Sequence, residues 1–268
     1  MSRSAHTGVE STRNMNADQQ FESELETFRK ECEEASQCFY GYLAIHQVAK
    51  DNRRVFGYLN KNALFWNTVT RALQTSALIA LHRIFNHRSR HNIDSLLRIA
   101  EANICIFTKQ ALGRRKQGNN QKQPEWLNGY LRDAHEPTNV DFRRIRAHAE
   151  KYKQLYEVRY APLRNKVYAH AVASDPSEIQ PLVAKTNIRE MKRIFVFLLK
   201  VHDALGQSYF NGHKLVLRAV PYSPERMRKS SSKRSPGGGV HVDIAREVEH
   251  VLLNAAAVET TVVRRRST

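Results

Sequence analysis

Arg164, Asn165 and His170 are the residues of this chain best suited to joint chemistry. They stand in the run YAPLRNKVYAHA, residues 160–171, with an Arg-Asn-x-x-x-x-His spacing. A guanidinium stays charged at any ordinary pH and presents a planar fork of donors to an oxyanion. An imidazole titrates near about 6.5 and exchanges a proton at neutral pH, while an amide positions by hydrogen bonding alone. The set suits a reaction that removes a proton while negative charge grows nearby. Tyr168, four residues after Arg164, packs under the guanidinium or stacks on a base. A plainer reading stands beside this one: His170, three residues after Val167, fits a satisfied core histidine, and Arg164 fits a salt bridge to a neighbouring helix.

A second pair, Arg143 and His148, has a similar spacing, but it sits in RRIRAHAEK, a charged helix surface with Arg144 where the first motif has an amide. His82, His87 and His91, with Arg83, Arg88 and Arg90, form an acid-free cluster at the end of an apolar helix. Phosphate contact or solvated charge suits it better than a metal. Only Asp94 is near His87 and His91 as a further ligand, and a turn interrupts the helix. Residues 113–124 (GRRKQGNNQKQP) have no acid and read as an exposed loop. Arg114, Arg115 and Lys116 there, Arg83, Arg88 and Arg90 in the cluster, and Lys166 beside the motif are the candidate phosphate contacts, with Trp126 and Tyr130 as stacking surfaces.

These residues need helices to position them. From Phe21 the apolar residues recur at Leu25, Phe28, Cys32, Ala35, Phe39 and Tyr42, which predicts a long first helix over roughly 18–50 with Asp18 as its N-cap. Asn62 to Asn86 is apolar almost all round from Ala72 and reads as the central, most buried helix. A third helix follows, capped by Asp94 and ended by Gly113. The fourth spans about 141–171, with Leu155, Val158, Leu163 and Val167 inward and a kink or restart at Pro162. The fifth begins after Thr186/Asn187 and stops at Asn211-Gly212.

The expected architecture is an all-α five-helix bundle over residues 18–212. It is preceded by a disordered segment, 1–17, and followed by a basic linker and a short terminal helix, near 242–257, within 213–268.

With its helices in this order, the sequence resembles the HEPN superfamily (higher eukaryotes and prokaryotes nucleotide-binding), α-helical bundles marked by Arg, a polar residue, a few spacers and His. It is similar in particular to the branch named for the U-type phage abortive-infection proteins, through the long first helix, the ALIALHRIFNH segment with its basic turn and SLL, and LRNKVYAH. The resemblance covers about residues 20–210. It implies a metal-independent endoribonuclease with no cofactor, in which His170 takes the 2′-hydroxyl proton and Arg164 stabilises the scissile phosphate. Asn165 and Tyr168 would support them, and the products would be 2′,3′-cyclic phosphate and 5′-hydroxyl ends. It also implies a homodimer through the motif helix, a phage-defence or toxin–antitoxin role, and a cognate antitoxin as a further partner. Family members often carry an acidic residue soon after the His, whereas here the chain reads AHAVASD and Asp175 comes five residues on. The alternatives are a noncatalytic HEPN-type RNA-binding or assembly module and a basic adaptor that binds a partner through its first helix.

Composition bounds these readings. The 268 residues carry 43 Lys+Arg against 26 Asp+Glu, a formal charge of +17, of which +1 falls in residues 1–17, +10 in 18–212 and +6 in 213–268. A body this basic favours nucleic acid as partner. No apolar run approaches the roughly 20 residues of a membrane span, and the polar first 20 residues lack a signal-peptide core, which predicts a cytoplasmic location without membrane partners. Cys32, Cys38 and Cys105 form no CxxC pair, and P-loop and GxGxxG patterns are missing, so nucleotide hydrolysis by a Walker motif is excluded.

Overall fold

The computed structural model of the chain describes the backbone of residues 6–118, 122–169, 176–217 and 240–266, with side chains over 17–118, 122–166, 177–217 and 240–258. The α-helices are α1 (His6–Asp51), α2 (Arg53–Lys61), α3 (Ala63–Phe85), α4 (Ile93–Ala102), α5 (Lys109–Gln117), α6 (Glu125–Asp133), α7 (Asn139–Arg159), α8 (Ala161–Leu163), α9 (Pro176–Ala184), α10 (Ile188–Asn211) and α11 (Val240–Arg266). A 3₁₀ turn, Ile104–Phe107, precedes α5, and a π-helical turn, Arg164–Ala169, follows α8. No strand occurs among the described residues, so the all-α class holds.

Several expected elements are cut differently. α1 begins at His6, so Asp18 lies inside it rather than capping it; the Asp18 carboxylate meets Arg115 at 2.9 Å and the Tyr209 hydroxyl at 2.5 Å. The expected third helix is three pieces, and its cap is Asn92, whose side chain accepts from the Ser95 amide at 2.8 Å, not Asp94. Gly113 does not end it. That residue is buried inside α5, where an added Cβ would stand 3.0 Å from Leu131, and Gly118, at φ 57°, terminates the helix. α2, α6 and α9 are further helices in the stretches between the expected ones. α11 is longer than the short helix expected near 242–257, while the basic linker before it, 218–239, lies outside the described residues.

α3 is the helix expected over 62–86, but it is not the most buried. Leu64 is 86% and Phe65 61% exposed, and burial is dense only from Ala77 to Phe85. That distinction belongs to α10, which hides Ile194, Phe195, Leu198, Val201, Leu205 and Tyr209 completely. Asn187 caps its start, and its chain leaves through Gly212 at φ 62°. Only glycine fits there: an added Cβ would meet Leu112 at 2.6 Å and Ala134 at 2.8 Å.

The chain divides into two compact units. The first comprises residues to Glu31, Arg83–Tyr160 and Ala184–Val220; the second comprises Cys32–His82, Ala161–Val183 and the chain from Pro221. In the first, Phe107 is the hub of an aromatic core, with ring centroids 5.1 Å from Phe21, 5.5 Å from Phe142 and 5.8 Å from Tyr209. Tyr152 stacks on Phe197 at 4.2 Å. The inward residues of α7 are thus Phe142, Ile145, Ala149 and Tyr156, whereas Val158, expected inward, is 69% exposed. In the second unit Ile45, Val55, Leu252 and Ala256 form the core, flanked by Tyr58, Leu59, Trp66, Val69 and Leu73. Among the described residues no helix is long and apolar enough to cross a membrane.

Candidate functional site

α7 stops where Pro162 requires it. Proline has no N–H for the helical ladder, its ring crowds the carbonyl four residues back, and it disfavours helical backbone in the residue before it. The last bond of the ladder is Tyr160 N–H to the Tyr156 carbonyl, 2.8 Å. The Tyr160 hydroxyl then donates to the Asn187 carbonyl at 2.8 Å, tying the end of α7 to the start of α10. The restart expected at Pro162 is therefore present. After α8, whose Leu163 is buried, the backbone widens into the π turn that begins at Arg164. Such turns add a residue to the helical repeat and recur at functional sites. The angular spacing of an ideal α-helix consequently does not relate Arg164 to the end of the motif.

Arg164 is half-buried. One of its terminal nitrogens donates to Asn165 Oδ1 at 2.7 Å, and its Nε is buried with no hydrogen-bond partner among the described residues. No carboxylate pairs with it among those residues, unlike several other arginines of the chain. Arg83 holds Glu31 at 2.8 Å, Arg115 holds Asp18 at 2.9 Å, Arg146 holds Glu101 at 2.7 Å and Arg159 reaches Glu190 at 3.6 Å. Asn165 and Lys166 are exposed on the turn. His170 lies outside the described residues, as does the side chain of Tyr168.

One residue beside Arg164 is not singled out for this site by the sequence. His82, half-buried on α3, has its pKa pushed down first by burial and second by the Arg164 charge, so its neutral form is favoured. The available signal is its place in the ALIALHRIFNH segment, but helical periodicity alone does not say which helix end faces the motif.

The remaining candidates separate into committed and open charges. Arg115 and Lys116 are on α5, not in a loop. Arg115 lies 3.8 Å over the Tyr209 ring and donates to the Tyr209 carbonyl at 2.8 Å, and Lys116 reaches Asn211 at 3.1 Å. The Tyr209 phenol keeps its proton, because burial and the carboxylates of Asp18 and Glu22 raise its pKa far above the usual value. Arg88, Arg90 and Arg114 are exposed and not paired in this way among the described residues, and residues 119–121 of the expected loop lie outside them. Tyr130 donates to the Asn211 carbonyl at 2.9 Å, whereas Trp126 is exposed.

His91 meets Glu24 at 2.7 Å, and Asp94 is held by Lys153 at 3.2 Å. His87, Asn92, Asp94, Ser95, Arg98 and Arg146 line a shallow cavity of about 190 Å3 in the first unit. In the second Arg–His pair, Arg143 and His148 are exposed on α7, and His148 Nδ1 faces the Arg144 carbonyl at 2.8 Å.

No match was found among curated proteins or solved structures. A family model does match, the HEPN model described as AbiU2, over residues 18–225. It takes in α1 from Asp18, the π turn with Arg164 and Asn165, and α10. With the Arg-Asn motif at a helical restart inside an all-α chain, and most of its length matched, the chain belongs to the AbiU2 family of HEPN proteins.

Proposed function

We propose that the protein is a metal-independent endoribonuclease of HEPN type, acting as an abortive-infection effector. The observation that carries the reading is the state of Arg164: a half-buried guanidinium with no carboxylate partner among the described residues, braced by Asn165. A half-buried guanidinium whose Nε lacks a partner among the described residues suits an anionic ligand, and a phosphodiester is such an anion. In this reading His170 removes the 2′-hydroxyl proton, the 2′-oxygen attacks the adjacent phosphorus, and Arg164 neutralises the charge growing on the phosphoryl oxygens. The phosphorus–5′-oxygen bond breaks and the leaving oxygen takes a proton from water, while His170 returns its proton to solvent, giving a 2′,3′-cyclic phosphate and a 5′-hydroxyl. No metal enters any step. A homodimer that joins two motif segments, and a cognate antitoxin restraining them, belong to the same proposal.

The test is incubation of the full chain with total RNA in EDTA, beside Arg164→Ala and His170→Ala variants of equal helicity, followed by end-group analysis. Cleavage by the parent alone, leaving cyclic phosphate ends, is expected. Cleavage that survives both substitutions, or none by the parent while it still binds RNA, would replace this reading with the noncatalytic binding module.

A further inference from the structure

Between Asp51 and Asp94 the chain contains no carboxylate. Within that stretch the second unit leaves an unusual surface open on α2 and the first half of α3. Phe56 is 54% exposed, Leu64 86% and Phe65 61%, large apolar groups that a helix normally turns inward. The inward work is already done by other residues: Val55, Tyr58, Leu59, Trp66, Val69 and Leu73 face the core with Ile45 and Leu252. Arg53, Arg54, Lys61 and Arg71 are exposed on the same two helices or at their ends, and so are Asn60, Asn62 and Asn67. Phe65 is held at a defined angle, its ring edge-on to Trp66 with centroids 5.2 Å apart. Trp66 is braced in turn by Tyr58 at 6.2 Å.

Charge and polarity select the occupant. A second copy bound by the same face through a two-fold axis would set four cations against the same four cations. An anionic lipid surface suits the cations, but insertion of the rings would drag the neighbouring asparagine amides out of water. A single-stranded nucleic acid suits all three groups at once, because unpaired bases stack on rings, their edges pair with amides, and their phosphates meet arginines. We propose that the exposed face of α2 and α3, with Phe56 and Phe65 as stacking surfaces and Arg53, Arg54 and Arg71 as phosphate contacts, binds single-stranded RNA. The inference extends the nuclease reading by naming where unpaired substrate is gripped, and it rests on that reading for the choice of RNA.

The experiment uses the full chain and a fluorescent single-stranded RNA dodecamer with every 2′-hydroxyl methylated, so that binding is read without cleavage. Phe56→Ala/Phe65→Ala is expected to weaken binding about tenfold or more, with duplex RNA of the same sequence changed less than about twofold. Phe65→Trp alone, with Phe56 kept, should retain the affinity. Arg53→Ala/Arg54→Ala should flatten the salt dependence, by about 0.7 in log–log slope for each phosphate no longer neutralised. Arg143→Ala/Arg144→Ala on α7 serves as a control and should change binding less than either. Circular dichroism and light scattering establish that fold and oligomeric state persist.

Unchanged single-strand affinity in the ring variant overturns the proposal, as does equal loss on duplex. Ring-dependent capture by phosphatidylserine vesicles with RNA binding intact, or loss of self-association in the ring variant, overturns it in favour of a lipid surface or a second copy. Cleavage of natural RNA is scored separately. Ring-dependent binding by a parent that cleaves nothing upholds this surface and rejects the nuclease reading alone, whereas Arg164-dependent cleavage with ring-independent binding does the reverse.

Discussion

Arg115 in the first unit and Arg164 in the second are both half-buried arginines on short helical turns, and their surroundings could hardly differ more. Arg115 has a carboxylate at 2.9 Å, a backbone carbonyl at 2.8 Å and an aromatic ring 3.8 Å beneath it. Arg164 has one amide oxygen at 2.7 Å and, among the described residues, no countercharge. Both leave Nε without a hydrogen-bond partner among the described residues, so the difference lies in the carboxylate, the carbonyl and the ring that surround Arg115, against the single amide at Arg164. The sequence marks the first arginine as a nucleic-acid contact, and it is a structural brace. The sequence marks the second as reactive, and among the described residues its one side-chain partner is the amide of Asn165.

The contrast between the two arginines breaks most readily at Arg164 itself. Arg164→Ala should lower RNA cleavage by about 10³-fold, the scale of a lost donor to a developing oxyanion, while shifting the urea midpoint little. A large stability loss with proportionate loss of activity would return Arg164 to the structural class.

On the first unit's side, Gly212→Ala at the end of α10 combines left-handed backbone with approaches of 2.6 and 2.8 Å and should destabilise by about 3 kcal/mol. Denaturant unfolding measures it, and a change below about 1 kcal/mol would mean that α5 and α6 are not packed as described. Arg115→Ala should cost about 2 kcal/mol and leave cleavage per folded molecule unchanged, the mirror image of Arg164→Ala.

The smallest effect concerns protons. His46, His82 and His241 all have lowered pKa values, with burial the leading cause in each and the Arg164 charge a further cause at His82. The unfolded chain therefore binds more protons as pH falls through about 6.5, so stability is complete above that value and declines below it. His82→Gln should shrink the difference between unfolding free energies at pH 8 and pH 5.5 by less than about 1 kcal/mol. Arg164→Gln should raise the His82 pKa toward its ordinary value in an NMR titration; an unmoved or lower pKa would separate the two side chains.

Some of this architecture is legible in the chain residue by residue. Asn187 and Gly212 bound α10 because capping and left-handed exit are local acts that need only the residue and its immediate neighbours. Pro162 announces the break after α7 for the same reason. Gly113 looks like a stop in the sequence, but its reason for being glycine is Leu131, a residue on another helix. Asp18 looks like a cap, but its partners, Arg115 and Tyr209, are distant in sequence. The apolar run of α3 signals burial all round, yet periodicity records which faces are apolar and not whether a neighbour exists to cover them.

The amino-acid sequence by itself determined that the chain is helical, strongly basic and built around an Arg-Asn-x-x-x-x-His motif at a proline-enforced restart, since each rests on composition or on bonds within a few residues. Tertiary structure alone decided which cations are spent. Arg115 and Lys116 are neutralised or seated by α1 and α10, Arg83 by α1, while Arg164 is left beside His82 and the rings of α2 and α3 are left open. The reason is physical: the fate of a charge or a ring depends on what other segments bring within a few ångströms, and that proximity is written in no single stretch of chain.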